Sequence, residues 1–505
     1  MIARSRRHAS ALTAAGVIAA LTAGTPAAAA PKEPPLRFVA AASTVTIERW
    51  EGEPVFLDLG THVVAGKTPF EVRAKRASYA KPIVATQVVR SGGKKKEVRL
   101  PAGLVTDFSG LSKFTHVTLK NAAGETVVEQ DQTFCPNAEG SRVRPDAPDR
   151  SPYPRGCSAF TPFVIGSVWG IQAGWSASTS SPWGYGVEPL DLPDGTYTAT
   201  VSVNQPYRNL FGFPANQSTA TVKVVVKTVT DPGTPRGMRT QGGPAGAATP
   251  APGVPLKPAA HRPTGKPNVP KGPKPDLRAL PAFQIQIAED EPGHPHARAD
   301  EGDFLAFAAN VWVAGDSPLV VDGFRRANED VMDAYQYFYD SKGKQVGYAP
   351  VGTMEWDDRD GHNHWHFTDF AQYRLLDASK QLAVRSGKEA FCLANTDAID
   401  YTLPHANWRP ENTDLHTACG HSGSLSVREV LDVGNGDTYM QFLPGQSFDI
   451  TDLPNGTYYI EVAANPDRRL FESNTKNNAS LRKVILGGEP GARTVTVPPH
   501  GLIDG

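Results

Sequence analysis

The stretch DLPNGTYYIEVAANPDRRLF (452–471) has a close copy earlier in the same chain, DLPDGTYTATVSVNQPYRNLF (191–211). Each opens on Pro, Asn or Asp, and Gly, which favour a turn, and continues into a run of Thr, Tyr, Val and Ile. A turn followed by β-branched, alternating residues predicts a strand. Working outward, KFTHVTLKNAAGETV (113–127) matches DFAQYRLLDASKQLA (369–383), and HVVAGKTPFEV (62–72) matches VWVAGDSPLVV (311–321). TFCPN (133–137) matches AFCLAN (390–395). Four collinear matches predict an internal duplication.

Further strand signals fill both copies: VTIERW, PFEVRAK and TVKVVV in the first, ANVWVA, LVVDGF, AYQYFYD and LRKVIL in the second. SKGKQ and DASKQ read as hairpin loops, and ANEDVMDAYQYFY fits either a short helix or a strand. The predicted fold class is all-β: two related antiparallel β-sandwich-like domains. Their predicted bounds are 35–228 and 278–488, with a tail over 489–505. Between them, 229–277 is rich in Pro, Gly and Lys and nearly empty of large apolar residues, which predicts a solvated linker.

Four cysteines permit three pairings. The duplication selects Cys135–Cys157 and Cys392–Cys419, one per copy, each contributing about 3 kcal/mol by loop-closure entropy. The chain has 505 residues, enough for several domains, and balances 51 Lys+Arg against 52 Asp+Glu. That balance argues against a nucleic-acid partner. Residues 1–29 combine a basic start (Arg4, Arg6, Arg7), an apolar core and a run of alanines, which predicts a secretory signal peptide and an extracellular protein. No later stretch is apolar enough to predict membrane insertion.

The chemical signal is Gly361-His362-Asn363-His364-Trp365-His366. On a strand, positions i, i+2 and i+4 share a face, so His362, His364 and His366 converge. Three neutral imidazoles suit a first-row transition metal. Copper has the higher intrinsic affinity, and zinc also fits. The repeat sets Thr106, Phe108 and Gly110 opposite the histidines, so the first copy lacks the cluster. Its aromatics Trp169, Trp175, Trp183, Tyr185 and Tyr207 read mainly as core. His294 and His296 flank a proline and read as loop; His405, His416 and His421 read as lining the site.

Residues 300–485 resemble the catalytic domain of the lysyl oxidase family, the secreted copper amine oxidases. The resemblance rests on the histidine motif, then FAQYRLLD, GKEAFCLANT (387–396), GDTY (436–439) and the closing segment 449–478. It implies that His362, His364 and His366 bind Cu2+. It also implies that Lys388 and Tyr439 join to form lysyl tyrosylquinone. The implied reaction converts the amine of lysine-containing proteins or peptides, or of small primary amines, to an aldehyde with O2, releasing H2O2 and ammonia. A carboxylate is expected as the base, and Asp369 and Asp437 are the candidates. In the first copy the Lys388 position is Asp131, and the Tyr439 region falls near Trp175, so that copy is expected to be non-catalytic. This chain departs from animal members in having only two cysteines in the domain and a slightly shorter step after the histidines. Two other readings remain open: a non-enzymatic extracellular copper-binding or adhesive cell-surface protein, and a zinc hydrolase.

Overall fold

The computed structural model describes residues 33–91, 93–157, 160–180, 189–229, 261–288, 302–340, 342–358, 363–386, 388, 390–413 and 419–504. The predicted signal peptide, most of the linker, His294, His296, Trp183, Tyr185, His362 and His416 lie outside the described residues. Among the described residues the regular structure is almost wholly strand, so the fold is all-β. The one α-helix among the described residues, Gln205–Phe211, carries Pro206 in its first turn and is followed by Gly212 in the left-handed region (φ 71°). The ambiguous ANEDVMDAYQYFY resolves as strand Val331–Tyr339, and both predicted hairpins form.

Among the described residues each half holds three sheets, a finer division than the sandwich expected. The pairs are antiparallel except that Thr44–Trp50 runs parallel to Thr219–Val229. In the first half, Thr126–Phe134, Leu111–Lys120, Gly195–Val203 and Thr219–Val229 lie side by side in that order. In the second, Leu382–Arg385, Ala371–Leu376, Gly456–Ala464 and Ala479–Glu489 repeat the order. Strand Gly195–Val203 shows why: Tyr197, Ala199, Val201 and Val203 alternate inward and are buried, while Thr198 and Thr200 face out.

A second correspondence has one difference. Lys94–Arg99, Val84–Ser91, Phe70–Lys75 and Gly166–Ile171 form a four-stranded sheet. Gln345–Asp357, Val331–Tyr339, Leu319–Arg325 and Ser426–Leu431 follow the same order, but this sheet continues past Gln345–Asp357 through His364–Thr368 to Ala390–Phe391. Thr106, Phe108 and Gly110 lie outside any strand.

The apolar run Phe304–Val313 is buried along its whole length. It pairs with Leu277–Ala279, Phe283–Ala288, Asn435–Tyr439 and Ser447–Asp449. Covered on both faces, it anchors the strand that ends at Tyr439. Trp365, Phe367, Phe370, Tyr373 and Phe391 fill the adjoining core, each large side chain contributing about 1.5–3 kcal/mol by leaving water.

The halves share structure. Ile165 N–H donates to the Ile399 carbonyl at 2.8 Å, and Tyr401 N–H to the Gly166 carbonyl at 2.9 Å. Phe163 from the first half packs with Leu280, Phe283, Trp312 and Ile399 from the second. The described end of the linker docks as well: Arg262 ion-pairs with Asp333 at 2.7 Å, and Asn268 N–H bonds the Tyr348 carbonyl at 2.9 Å. Both predicted disulfides, Cys135–Cys157 and Cys392–Cys419, are formed. Trp169 and Tyr207 are core residues, as read from the sequence.

Candidate active site

The strand His364–Thr368 pairs with the end of Gln345–Asp357, setting His364 opposite Asp357 and Trp365 opposite Trp356. Trp365 is buried in the core, and its Nε1–H donates to the His421 carbonyl at 3.0 Å. With Trp365 fixing one face, His364 and His366 project from the other. Their ring centroids are 4.7 Å apart, and both side chains are buried. These two members of the predicted triad are brought together; His362 lies outside the described residues, and no complete set of three ligands is seen among the described ones.

Nδ1 of His366 lies 3.1 Å from a carboxylate oxygen of Asp357. That contact places the Nδ1 proton toward Asp357 and leaves Nε2 as the ring atom that could hold a metal. Burial lowers the His366 pKa to about 3; the Asp357 hydrogen bond opposes this, and the charges of Lys388 and His364 reinforce it. The ring is therefore neutral at neutral pH, as a metal ligand must be. Two adjacent imidazoles, one of them neutral and oriented by a carboxylate, suit a first-row transition metal. Asp357 was not singled out in the sequence, although it opens the acidic run just before the histidine motif.

Lys388 is buried between the strands Leu382–Arg385 and Ala390–Phe391. Its N–H donates to Ser386 Oγ at 3.2 Å, and Ser386 Oγ in turn donates to the Gly445 carbonyl at 2.6 Å. Gly445 has φ +75°, and a Cβ there would sit 3.1 Å from the Lys388 Cβ. Only glycine suits both demands. So held, the Lys388 ammonium nitrogen lies 4.6 Å from the centroid of the Tyr439 ring and 5.3 Å from that of Phe391.

Tyr439 ends the strand Asn435–Tyr439. Its hydroxyl donates to the Cys392 carbonyl at 2.9 Å and accepts from the Cys392 N–H at 2.8 Å. Phe391 stands edge-on to the ring, with centroids 5.0 Å apart. Asp437, two residues back on the same strand, is fully buried. Burial pushes its carboxyl well above the usual carboxylate range; Lys388 pulls against this, and Asp397 adds to it. Buried Glu429 is also pushed up by desolvation, although its carboxylate holds the Leu393 N–H at 2.9 Å.

Asp369 sits differently. It adopts a left-handed backbone (φ 59°), and its carboxylate pairs with Arg469 at 2.8 Å. The charge of Lys388 acts on the buried Asp437 carboxyl. His405 and His421 are exposed, and His421 Nδ1 accepts the Gly423 N–H at 3.1 Å.

These features define an all-β domain that gathers paired imidazoles, a buried lysine, a tyrosine and a buried carboxylate. Residues 337–494 match the family model described as lysyl oxidase, so this segment is similar to that family. The protein-lysine 6-oxidases of Rattus norvegicus and Sus scrofa are each 36% identical to it over 149 residues, 29% of this chain. The match covers 32% of the rat protein and 53% of the pig protein. The protein-lysine 6-oxidase of Homo sapiens is 36% identical over 126 residues, 24% of this chain and 26% of its own length. The chain thus spans a quarter to about half of the length of these relatives.

Proposed function

We propose that this protein is an extracellular copper-dependent oxidase of primary amines, with lysine side chains as substrate. It converts the amine to an aldehyde with O2 and releases H2O2 and ammonia, and its organic cofactor is lysyl tyrosylquinone built from Lys388 and Tyr439. The observation that carries this reading is the approach of the Lys388 nitrogen to within 4.6 Å of the Tyr439 ring centroid, in a buried site beside His364 and His366. A lysine that must bond to a tyrosine ring has to sit against that ring, as Lys388 does. The family match and the relatives' names support the same reading.

Copper held by His362, His364 and His366 supplies the one-electron chemistry with O2 that ordinary side chains lack. The chain's own residues do the rest. Cys392 fixes the phenol oxygen through its N–H and carbonyl, Phe391 blocks one edge of the ring, and Gly445 leaves Lys388 room to approach. Asp437 accepts the proton from the carbon next to the substrate amine. Burial raises its pKa, the direction that makes a carboxylate a stronger base. The first half is a non-catalytic duplicate: the strand orders agree, and among the described residues the sheet extension that bears the histidines has no counterpart there.

The test is the visible spectrum of secreted protein loaded with copper under air, before and after phenylhydrazine. A quinone band that shifts with the hydrazine is expected. Bound copper without such a band favours a copper-binding surface protein instead.

Two variants refine the reading. Asp437→Asn lowers kcat/KM by about 10²–10⁴-fold, the worth of a general base, while Asp369→Asn leaves it within a few-fold; the reverse order moves the base to Asp369. The folded state holds the Asp437 proton that the unfolded chain releases near pH 4. Wild-type stability therefore falls relative to Asp437→Asn as pH rises above that value, which parallel urea titrations measure. Asp357→Asn weakens copper binding about 10–100-fold by loosening the His366 ring; unchanged affinity in a chelator competition removes Asp357 from the site.

A further inference from the structure

A cavity of about 380 Å³ lies where the two halves meet. Phe160 and Phe163 come from the first half; Phe283, Ile285, Gln441 and Arg482 come from the second. Arg482 is the unusual member. It lies on the strand Ala479–Glu489 and is only 2% exposed. Its Nε and Nη1 have no hydrogen-bond partner, and no carboxylate among the described residues pairs with it. Its guanidinium carbon lies 5.7 Å from the centroid of the Phe163 ring. A buried arginine is ordinarily paired, because an uncompensated buried charge costs several kcal/mol.

The wall opposite is opened by an irregularity. The pairing of Phe283–Ala288 with Phe304–Val313 slips between Phe283 and Gln286, and Gln284 between them has φ +48°. This bulge bends the strand and leaves space where a regular ladder would run. Gln441 adds a side-chain oxygen that is also buried without a partner. The remaining lining mixes apolar side chains with the polar Gln284, Gln286 and Asp504.

We propose that this cavity is a binding site for a small carboxylate monoanion with an apolar body. The guanidinium presents planar donors suited to a carboxylate. The volume lies within the range of small-molecule pockets, whose walls are mostly apolar with a few placed polar groups. The Arg482 guanidinium supplies one positive charge and the Asp504 carboxylate in the lining opposes it, so the lining disfavours a phosphate or sulfate dianion more strongly than a monoanion. The site exists only because the first half supplies Phe160 and Phe163, which gives that half a binding role. The proposal is independent of the oxidase reading.

The test is calorimetric titration of the full-length protein with benzoate, benzamide and inorganic sulfate. Benzoate is expected to bind one to one, and benzamide, the neutral analogue, about ten- to a hundredfold more weakly, the worth of charge-assisted hydrogen bonds. Arg482→Gln is expected to weaken benzoate by the same factor. Ile285→Trp, which fills the cavity and keeps the arginine, is expected to abolish binding and carries the test if the arginine variant fails to fold. Equal binding of benzoate and benzamide overturns the proposal, as do sulfate binding as tight as benzoate, full binding by either variant, and no heat at millimolar benzoate.

Discussion

Tyr439→Phe is expected to abolish amine oxidation while the protein still binds copper. The substitution keeps the ring against Phe391 and beneath Lys388. It removes only the oxygen, without which no quinone can form. Turnover should fall by at least about 10⁴-fold, the scale for losing a group at the reacting centre. The hydrazine-sensitive band should vanish, and copper per chain should stay at the wild-type value, because the histidines are untouched. The stability cost has a separate origin. The Cys392 N–H and carbonyl both lose their partner in a buried place, which costs about 1–3 kcal/mol. A thermal melt separates this modest loss from the loss of chemistry. Oxidation that survives the substitution rules out a cofactor built on Tyr439. Hydrolytic activity surviving with zinc bound points to a three-histidine hydrolase.

Much of this site was legible in the sequence because it is written in local patterns. Alternation along Gly195–Val203 and Gly456–Ala464, turn residues before each strand, and paired motifs around the cysteines all act over a few positions. The disulfide pairing followed from the repeat and is the pairing found. What escaped is information about neighbours far apart in the chain. Alternation marks a strand but does not say which sheet it joins, so three sheets per half looked like two. Asp369 and Asp437 are equally plausible as bases until burial is known; Arg469 engages the first, and the strands around Asn435–Tyr439 bury the second. Register corrects one correspondence. Ser178 pairs with His62 as Asp437 pairs with Val311, and the repeat aligns His62 with Val311. The residue opposite Tyr439 in the first half is therefore Ser180, and Trp175 lies several positions earlier. The helix Gln205–Phe211 was missed because its copy, NPDRRLF, forms a turn; proline at the start and glycine after the end are the signals that mark it.

Removing the Cys392–Cys419 disulfide, as Cys392→Ala with Cys419→Ala, is expected to damage both stability and cofactor formation. Closure of a loop with a separation of 27 residues contributes about 3–4 kcal/mol by chain entropy. The Cys135–Cys157 disulfide closes a separation of 22 and contributes nearly as much by the same reasoning. The two therefore serve as matched controls for stability. They differ in what they connect. The Cys419 carbonyl accepts the N–H of Trp365, between the two histidines, at 3.0 Å. Cys392 holds the Tyr439 hydroxyl through its own N–H and carbonyl. The disulfide thus ties the histidine strand to the tyrosine through one covalent link and three hydrogen bonds, and catalytic groups tolerate little misplacement. Below the melting temperature of both variants, quinone yield per copper, titrated with phenylhydrazine, should fall several-fold without Cys392–Cys419 and hold without Cys135–Cys157. Equal yields in both would make the second disulfide a stabilising staple only, and the register between metal strand and tyrosine would then be set by the sheet and the packed aromatic core.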